Sequence, residues 1–222
     1  MERKISPDYD TLRVKVEELA KGPKDRAAIQ ARLEKLSSEG IPKRVVDPEQ
    51  VIAKRQEIVE HLQKRAEEYE QVTQSCAKSP ALALMEEFGF GNMTIITALS
   101  AFPGVAITGE TCGAVLGGLA AISSYFGSDD LLDYNANARC YAQCRKFISR
   151  FRSELGTTKC REIHEGIVFG QYYNVADPEK GYPAFLEDKG FEKCALAPGI
   201  GARLAAQIIL EDIEKRGKPK MG

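Results

Sequence analysis

Apolar residues recur at helical spacing along most of the chain, and no segment shows the alternation of apolar and polar residues that is typical of strands. Near the amino end, Leu12 and Val16 lie on one helical face, and Gly22-Pro23 then breaks the pattern. This arrangement predicts a helical hairpin over residues 7–36. Charged residues fill its remaining faces, so we expect most of its surface to be solvated.

A second helical region is predicted to begin at Asp47, whose side chain caps the helix while Pro48 occupies its first turn. Its apolar period continues toward Cys76, which is therefore expected near the end of a long helix. The composition changes at this point from a highly charged segment to a more apolar one. We therefore divide the chain into an N-terminal helical extension, residues 1–46, and a four-cysteine helical domain, residues 47–222.

The remaining apolar stretches predict a series of shorter helices separated by glycine and proline. The predicted segments are 81–88, 92–101, 111–126, 133–156 and 200–215, with an irregular loop or short helix over 166–190. There is no internal repeat and no strand followed by a phosphate-binding glycine loop. The predicted fold class is all-α, a compact helical bundle with a charged N-terminal helical extension.

Composition and charge exclude several kinds of partner. The 31 basic and 32 acidic residues nearly cancel, so we expect no nucleic-acid partner. The longest weakly polar run, residues 93–126, is interrupted by Pro103 and Glu110 and predicts buried core, without membrane insertion. The amino end lacks the apolar core of a signal peptide, and a cytoplasmic location is expected.

Six cysteines are many for a cytosolic chain, and they favour reduced thiols, metal ligands or redox chemistry over a disulfide scaffold. Because there are only two histidines, any metal would be held mainly by thiolates, which suit iron–sulfur clusters or zinc. No C-x-x-C-H sequence is present, which excludes covalent attachment of c-type haem. The cysteines are Cys76, Cys112, Cys140, Cys144, Cys160 and Cys194.

Cys112 stands out because it opens a run of small residues, Thr111 to Gly118. Glycines at this point leave room for a partner group to approach the thiol closely. The positive end of the predicted helix is expected to lower the pKa of Cys112. Cys140 and Cys144, in contrast, lie one turn apart inside a predicted helix and are interpreted as packing residues.

The cysteine arrangement resembles the C_GCAxxG_C_C family of redox-active proteins, named for a C, C-G-A-x-x-G, C, C pattern. The resemblance covers residues 65–215. It rests on Cys76 before Glu87-Phe88-Gly89, then Cys112-Gly113-Ala114-Val115-Leu116-Gly117, Cys160-Arg161-Glu162 and Lys193-Cys194. A looser resemblance to split-Soret cytochromes implies that the thiols hold an iron–sulfur cluster, [2Fe–2S] rather than [4Fe–4S]. The haem motifs of those cytochromes are absent, and haem is not expected.

The resemblance therefore implies one cofactor and metal site for electron transfer, with a redox protein as partner. The predicted ligands are Cys76, Cys112, Cys160 and Cys194. His164, one helical turn after Cys160, could replace or tune a ligand. The small-residue helix faces are compatible with a homodimer.

Two other interpretations of the same residues stay open at this point. One is thiol–disulfide chemistry with Cys112 as nucleophile. The other is a zinc-stabilised helical adaptor that binds a partner through the charged N-terminal helices. No catalytic residue and no enzymatic reaction is assigned, because no nucleophile–base constellation is recognisable in the sequence.

Overall fold

The computed structural model describes residues 7–217, and most of these residues are helical. The longer α-helices are α1 (Tyr9–Leu19), α2 (Arg26–Glu39), α3 (Pro48–Ala53), α4 (Arg55–Thr73), α5 (Lys78–Phe88), α6 (Met93–Ala98), α7 (Gly113–Phe126), α8 (Tyr134–Leu155), α9 (Gly181–Glu187), α10 (Gly190–Cys194) and α11 (Leu196–Gly217). Shorter helical segments lie at Leu99–Ala101, Gly104–Ile107, Cys160–Ile163 and His164–Val168. Within the described range, β-type pairing is limited to one isolated bridge between Thr111 and Lys159. The all-α fold class is confirmed.

Local sequence signals account for most helix ends. The side chains of Asp25, Asp47 and Asp133 each accept backbone N–H groups in the first turn of the helix that follows. Gly89 and Gly156 close α5 and α8 in the left-handed conformation that glycine adopts without strain. The two predicted N-terminal helices and the predicted helix starts at Asp47 and Asp133 are confirmed. Their pairing as a hairpin is wrong, because α1 packs against α10 and α11 while α2 packs against α4.

The long helix predicted to run from Pro48 toward Cys76 is wrong in one respect that matters for the site. Its main part, α4, ends at Thr73 because Gln74 takes a left-handed conformation and its N–H donates to the Glu70 carbonyl. Cys76 consequently lies in the turn between α4 and α5 instead of in a helix. From this turn the Cys76 residue lines the cavity described below.

The C-terminal helix α11 lies at the centre of the bundle. It packs against α4, α5, α7 and α8, and apolar residues such as Ile200, Leu204 and Ile208 are almost fully buried. The segment 190–216 is long and apolar enough to cross a membrane by length and composition alone. However, 78% of its apolar window is buried inside the fold, which is the pattern of a core helix.

The two N-terminal helices pack onto the same core as the rest of the chain. Leu12, Val16 and Leu36 are buried in it. The Arg32 guanidinium of α2 lies 2.5 Å from Glu86 of α5, and its Nε donates to the Tyr69 hydroxyl of α4 at 2.8 Å. The extension is thus joined to the bundle by both apolar and polar contacts, while its separate status as residues 1–46 stays a prediction.

Small residues let α7 approach the turn between α4 and α5. A Cβ on Gly117 would overlap the carbonyl oxygen of Ala77, and a Cβ on Gly118 would overlap the Phe147 ring of α8. The stripe of small residues predicted on this helix therefore serves packing inside the chain. It fixes the start of α7 beside the turn that carries Cys76.

We expect Gly117→Ala to lower the free energy of unfolding by about 1–3 kcal/mol, because the added methyl group overpacks a rigid backbone contact. Gly166→Ala is the matched control, since a Cβ added at this exposed residue would have no atom within 4 Å. Urea unfolding monitored by circular dichroism measures both effects. Equal stability of Gly117→Ala and wild type would contradict this packing.

Candidate functional site

Four segments of the chain meet at one cavity of about 600 Å³. Each contributes one cysteine: Cys76 from the α4–α5 turn, Cys112 from the residue before α7, Cys160 from the start of the short helix Cys160–Ile163, and Cys194 from the end of α10. These are the four cysteines that the sequence singled out. The structure therefore brings the predicted set together, although cofactor binding by these residues stays a prediction.

Backbone hydrogen bonds hold Cys112 and Cys160 side by side. The Cys112 N–H donates to the Thr158 carbonyl at 2.8 Å, and the Cys160 N–H donates to the Glu110 carbonyl at 2.6 Å. The Arg161 N–H continues this pairing by donating to the Gly109 carbonyl at 3.0 Å. Because these are main-chain contacts, the backbone positions of the two cysteines keep their spacing while the thiols can still turn.

Glycines make room for the other sulfur atoms. A Cβ on Gly113 would overlap the Cys76 sulfur, and a Cβ on Gly104 would lie 3.3 Å from the Cys160 sulfur. The sequence predicted that glycines beside Cys112 allow a partner to approach closely, and Cys76 is one such partner. Residues 112–113 and 76 are thus packed against each other at the floor of the site.

His164 connects two of the thiols. Its Nε2 atom lies 3.4 Å from the Cys194 sulfur and 3.8 Å from the Cys160 sulfur. It begins a short stretch, His164–Val168, in which backbone hydrogen bonds span five residues, a feature that often occurs at functional sites. The predicted proximity of His164 to Cys160 is confirmed, and its contact with Cys194 could not be read from sequence spacing.

A strained turn forms another part of the wall. Gly104, Val105, Ala106 and Ile107 all have φ between 52° and 56°, which places four consecutive residues in the left-handed region. This conformation is costly for β-branched residues such as Val105 and Ile107, and strain of this kind concentrates at functional sites. The turn closes with the Glu110 N–H donating to the Gly104 carbonyl at 3.1 Å.

Burial governs the protonation of all four thiols. Desolvation raises the pKa of Cys112 to about 12 and that of Cys160 to about 11. It raises the pKa of Cys76 and Cys194 well above the ordinary value, and the neighbouring thiols and Glu70 add to the shift. The expected lowering at Cys112 is therefore wrong, because loss of hydration outweighs the helix N-terminus there.

Glu70 is a site residue that sequence reasoning missed. Its side chain is buried and lines the cavity, where burial raises its pKa to about 8. The Ser79 hydroxyl donates to Glu70 Oε2 at 3.0 Å, and a backbone hydrogen bond from Ser75 also reaches the carboxyl group. A glutamate in a charged helix resembles a solvated residue, so no signal in the sequence could have identified it.

Aromatic side chains from the predicted loop region form the opposite wall. The His164 ring stacks on Phe185, with centroids 6.0 Å apart and planes inclined by 13°. The guanidinium carbon of Arg161 lies 3.8 Å above the centre of the Tyr172 ring. The segment predicted as an irregular loop or short helix, 166–190, thus contributes to the cavity, but its individual residues were not predicted.

Cys140 and Cys144 lie elsewhere, on α8. Their sulfur atoms are 3.9 Å apart, and the Ser123 hydroxyl of α7 contacts both. Neither residue lines the four-cysteine cavity. Their interpretation as packing residues, separate from the other four, agrees with this position.

The donor set suits a thiolate-bound group, because four thiols and one imidazole nitrogen face a shared space. Within residues 7–217, no three side chains of His, Cys, Asp or Glu stand close enough together to hold a single metal ion as they are arranged. A bound metal or cluster would therefore need the thiols to turn toward it and lose their protons.

A family model described as "Putative redox-active protein (C_GCAxxG_C_C)" matches residues 74–208, which include all four cavity cysteines. No curated protein and no solved structure is similar enough to count as a match. The matched range begins just before Cys76 and ends within α11.

We expect Glu70→Gln to change how stability depends on pH. Glu70 has a raised pKa in the folded state, so its stability contribution is present below the ordinary value of 4.5 and is lost as the pH rises toward about 8. Glu70→Gln should abolish this loss, a gain at pH 8 on the order of 3 kcal/mol relative to pH 4.5.

Chemical unfolding between pH 4.5 and pH 8 measures this difference. The exposed Glu57 on the same helix supplies the control, and Glu57→Gln should follow the wild-type profile. A Glu70→Gln profile parallel to that of wild type would show that Glu70 is not buried as described.

Proposed function

The chain belongs to the C_GCAxxG_C_C family of redox-active proteins, and we propose that its cavity holds an iron–sulfur cluster used for electron transfer. The proposed ligands are Cys76, Cys112, Cys160 and Cys194. When bound, such a cluster supplies reversible one-electron oxidation and reduction. The proposed partner is a redox protein of the cytoplasm.

The convergence of four thiols from four separate segments on one cavity is the observation that supports this function most strongly. The lining of the cavity is mostly apolar, and this low polarity around the sulfur atoms would tune the potential of a bound cluster. Thiols with raised pKa values are protonated when no metal is present, and positively charged iron would favour their thiolate form. The four thiols would therefore lose their protons and become negatively charged only when the metal binds.

The surrounding residues of the chain have definable roles. His164 orients the Cys160 and Cys194 thiols through its Nε2 atom. The backbone pairing of residues 110–112 with residues 158–160 keeps Cys112 and Cys160 in register. Gly113 keeps the start of α7 clear of the Cys76 sulfur. These contacts reduce the rearrangement that cofactor binding requires.

Thiol–disulfide exchange is the second candidate, because the thiols of Cys76, Cys112 and Cys194 lie close enough to influence one another electrostatically. Oxidation of two thiols to a disulfide would release two electrons and two protons to an acceptor disulfide, which becomes two thiols. The raised pKa of Cys112 makes it a slow nucleophile at neutral pH, which places this candidate behind the cluster.

The cluster is tested by anaerobic purification and reconstitution, followed by analysis of iron and acid-labile sulfide. We expect both elements in equal amounts together with visible absorption, and the amount of iron per protein chain distinguishes [2Fe–2S], the cluster favoured at the outset, from [4Fe–4S]. Serine in place of Cys76, Cys112, Cys160 or Cys194 should remove most of the bound iron. A serine oxygen replaces a soft sulfur ligand poorly.

Cys140→Ser and Cys144→Ser are the matched controls, since both alter thiols that lie outside the cavity. They should bind as much iron as wild type. A colourless protein without iron or sulfide after reconstitution would refute the cluster. If that protein instead forms a disulfide within the four-cysteine set at mild potentials, the second candidate takes its place.

A further inference from the structure

The cavity is larger and more varied than four thiols require. Besides the cysteines it is lined by an aromatic wall made of Tyr172, Tyr182, Phe185 and Phe191. Phe185 and Phe191 meet edge to face with centroids 5.0 Å apart, and Phe185 also stacks on the His164 ring. A volume of about 600 Å³ with mostly apolar walls is typical of a site for a small organic molecule.

Two side-chain polar atoms of residues that line the cavity are buried without a hydrogen-bond partner. They are the hydroxyl oxygen of Ser75 and the Nδ1 atom of His164. The side chains are well shielded, since Ser75 is 7% exposed and His164 is 4% exposed. Leaving a buried polar group unsatisfied costs about 1–3 kcal/mol, so each atom is a place where a ligand atom would gain a hydrogen bond.

The chemistry of these two atoms restricts the ligand. A serine hydroxyl both donates and accepts, and an imidazole nitrogen donates or accepts according to its tautomer. A ligand oxygen that can be either a carbonyl or a hydroxyl satisfies the nitrogen in both cases. Burial raises the pKa of Glu70, which lines the same cavity, to about 8, so near neutral pH it offers a protonated carboxyl group and no negative charge to a cationic ligand.

We propose that this cavity binds a quinone or its hydroquinone, with the ring against the aromatic wall and its oxygens hydrogen-bonded to Ser75 and His164. The class is planar, uncharged and mainly apolar, and it carries oxygens that accept in one form and donate in the other. His164 then separates the ligand from Cys160 and Cys194, because Nε2 faces the two sulfur atoms while Nδ1 is left for the ligand.

The choice of a redox-active ligand rests on the proposed redox function of the same cavity. The predicted contacts do not rest on the proposed function, since they follow from the aromatic wall and the two unpartnered polar atoms. Binding can therefore be measured separately from cluster content. Iron and sulfide analysis of the same preparation reports on the cluster, and binding without iron would support this inference while the cluster fails.

Equilibrium dialysis under anaerobic, reducing conditions tests the proposal with the full chain. The probe is the 1,4-hydroquinone of naphthalene, because it does not oxidise or alkylate thiols. The control compound is 1,4-dimethylnaphthalene, which has a similar shape and no hydrogen-bonding groups. We expect saturable binding of the hydroquinone. Ser75→Ala and His164→Phe should each weaken it roughly two- to tenfold. Both variants should bind the dimethyl compound as wild type does, within about twofold.

Ser123→Ala is the control, since this exposed serine contacts Cys140 and Cys144 instead of the cavity. It should leave the affinity for both compounds unchanged. The proposal is overturned if the hydroquinone does not bind, or if Ser75→Ala weakens both compounds alike or neither. If His164→Phe does not fold, the result for Ser75→Ala alone decides the test.

Discussion

The contact between the start of α7 and the turn between α4 and α5 is the constraint on which the rest of the site depends. Gly113 leaves room for the Cys76 sulfur, and Gly117 leaves room for the Ala77 carbonyl. A larger residue at either position would push the helix away from the turn and open the cavity floor. Since α7 also packs against the central helix α11, the same contact links the site to the core.

Desolvation determines the protonation of the buried carboxyl, thiol and imidazole groups of the cavity. Burial raises the pKa of Glu70 to about 8 and that of Cys112 to about 12, and it lowers the pKa of His164 to about 4. Near neutral pH these three groups are therefore largely uncharged, which lowers the cost of burying them. Metal binding would exchange protons for positive charge, so metal affinity should rise with pH.

Much of the fold could be predicted from the sequence because its signals are local. The cap at Asp47 and the glycine stops at Gly89 and Gly156 depend on a few neighbouring residues and were confirmed. The grouping of the four cysteines came from a motif and from their positions at helix junctions, and all four line one cavity.

What could not be predicted depends on contacts between distant segments. Glu70 resembles a solvated helix residue until α5 and the α4–α5 turn cover it. The left-handed Gln74, which places Cys76 in a turn, carries no glycine or proline signal.

An anaerobic crystal structure of the reconstituted protein, with anomalous diffraction recorded at the iron absorption edge, tests the central claim most directly. We expect iron peaks inside the cavity, bonded to the sulfur atoms of Cys76, Cys112, Cys160 and Cys194. A map without iron among these four sulfur atoms, showing instead a disulfide or a zinc ion between them, would contradict it.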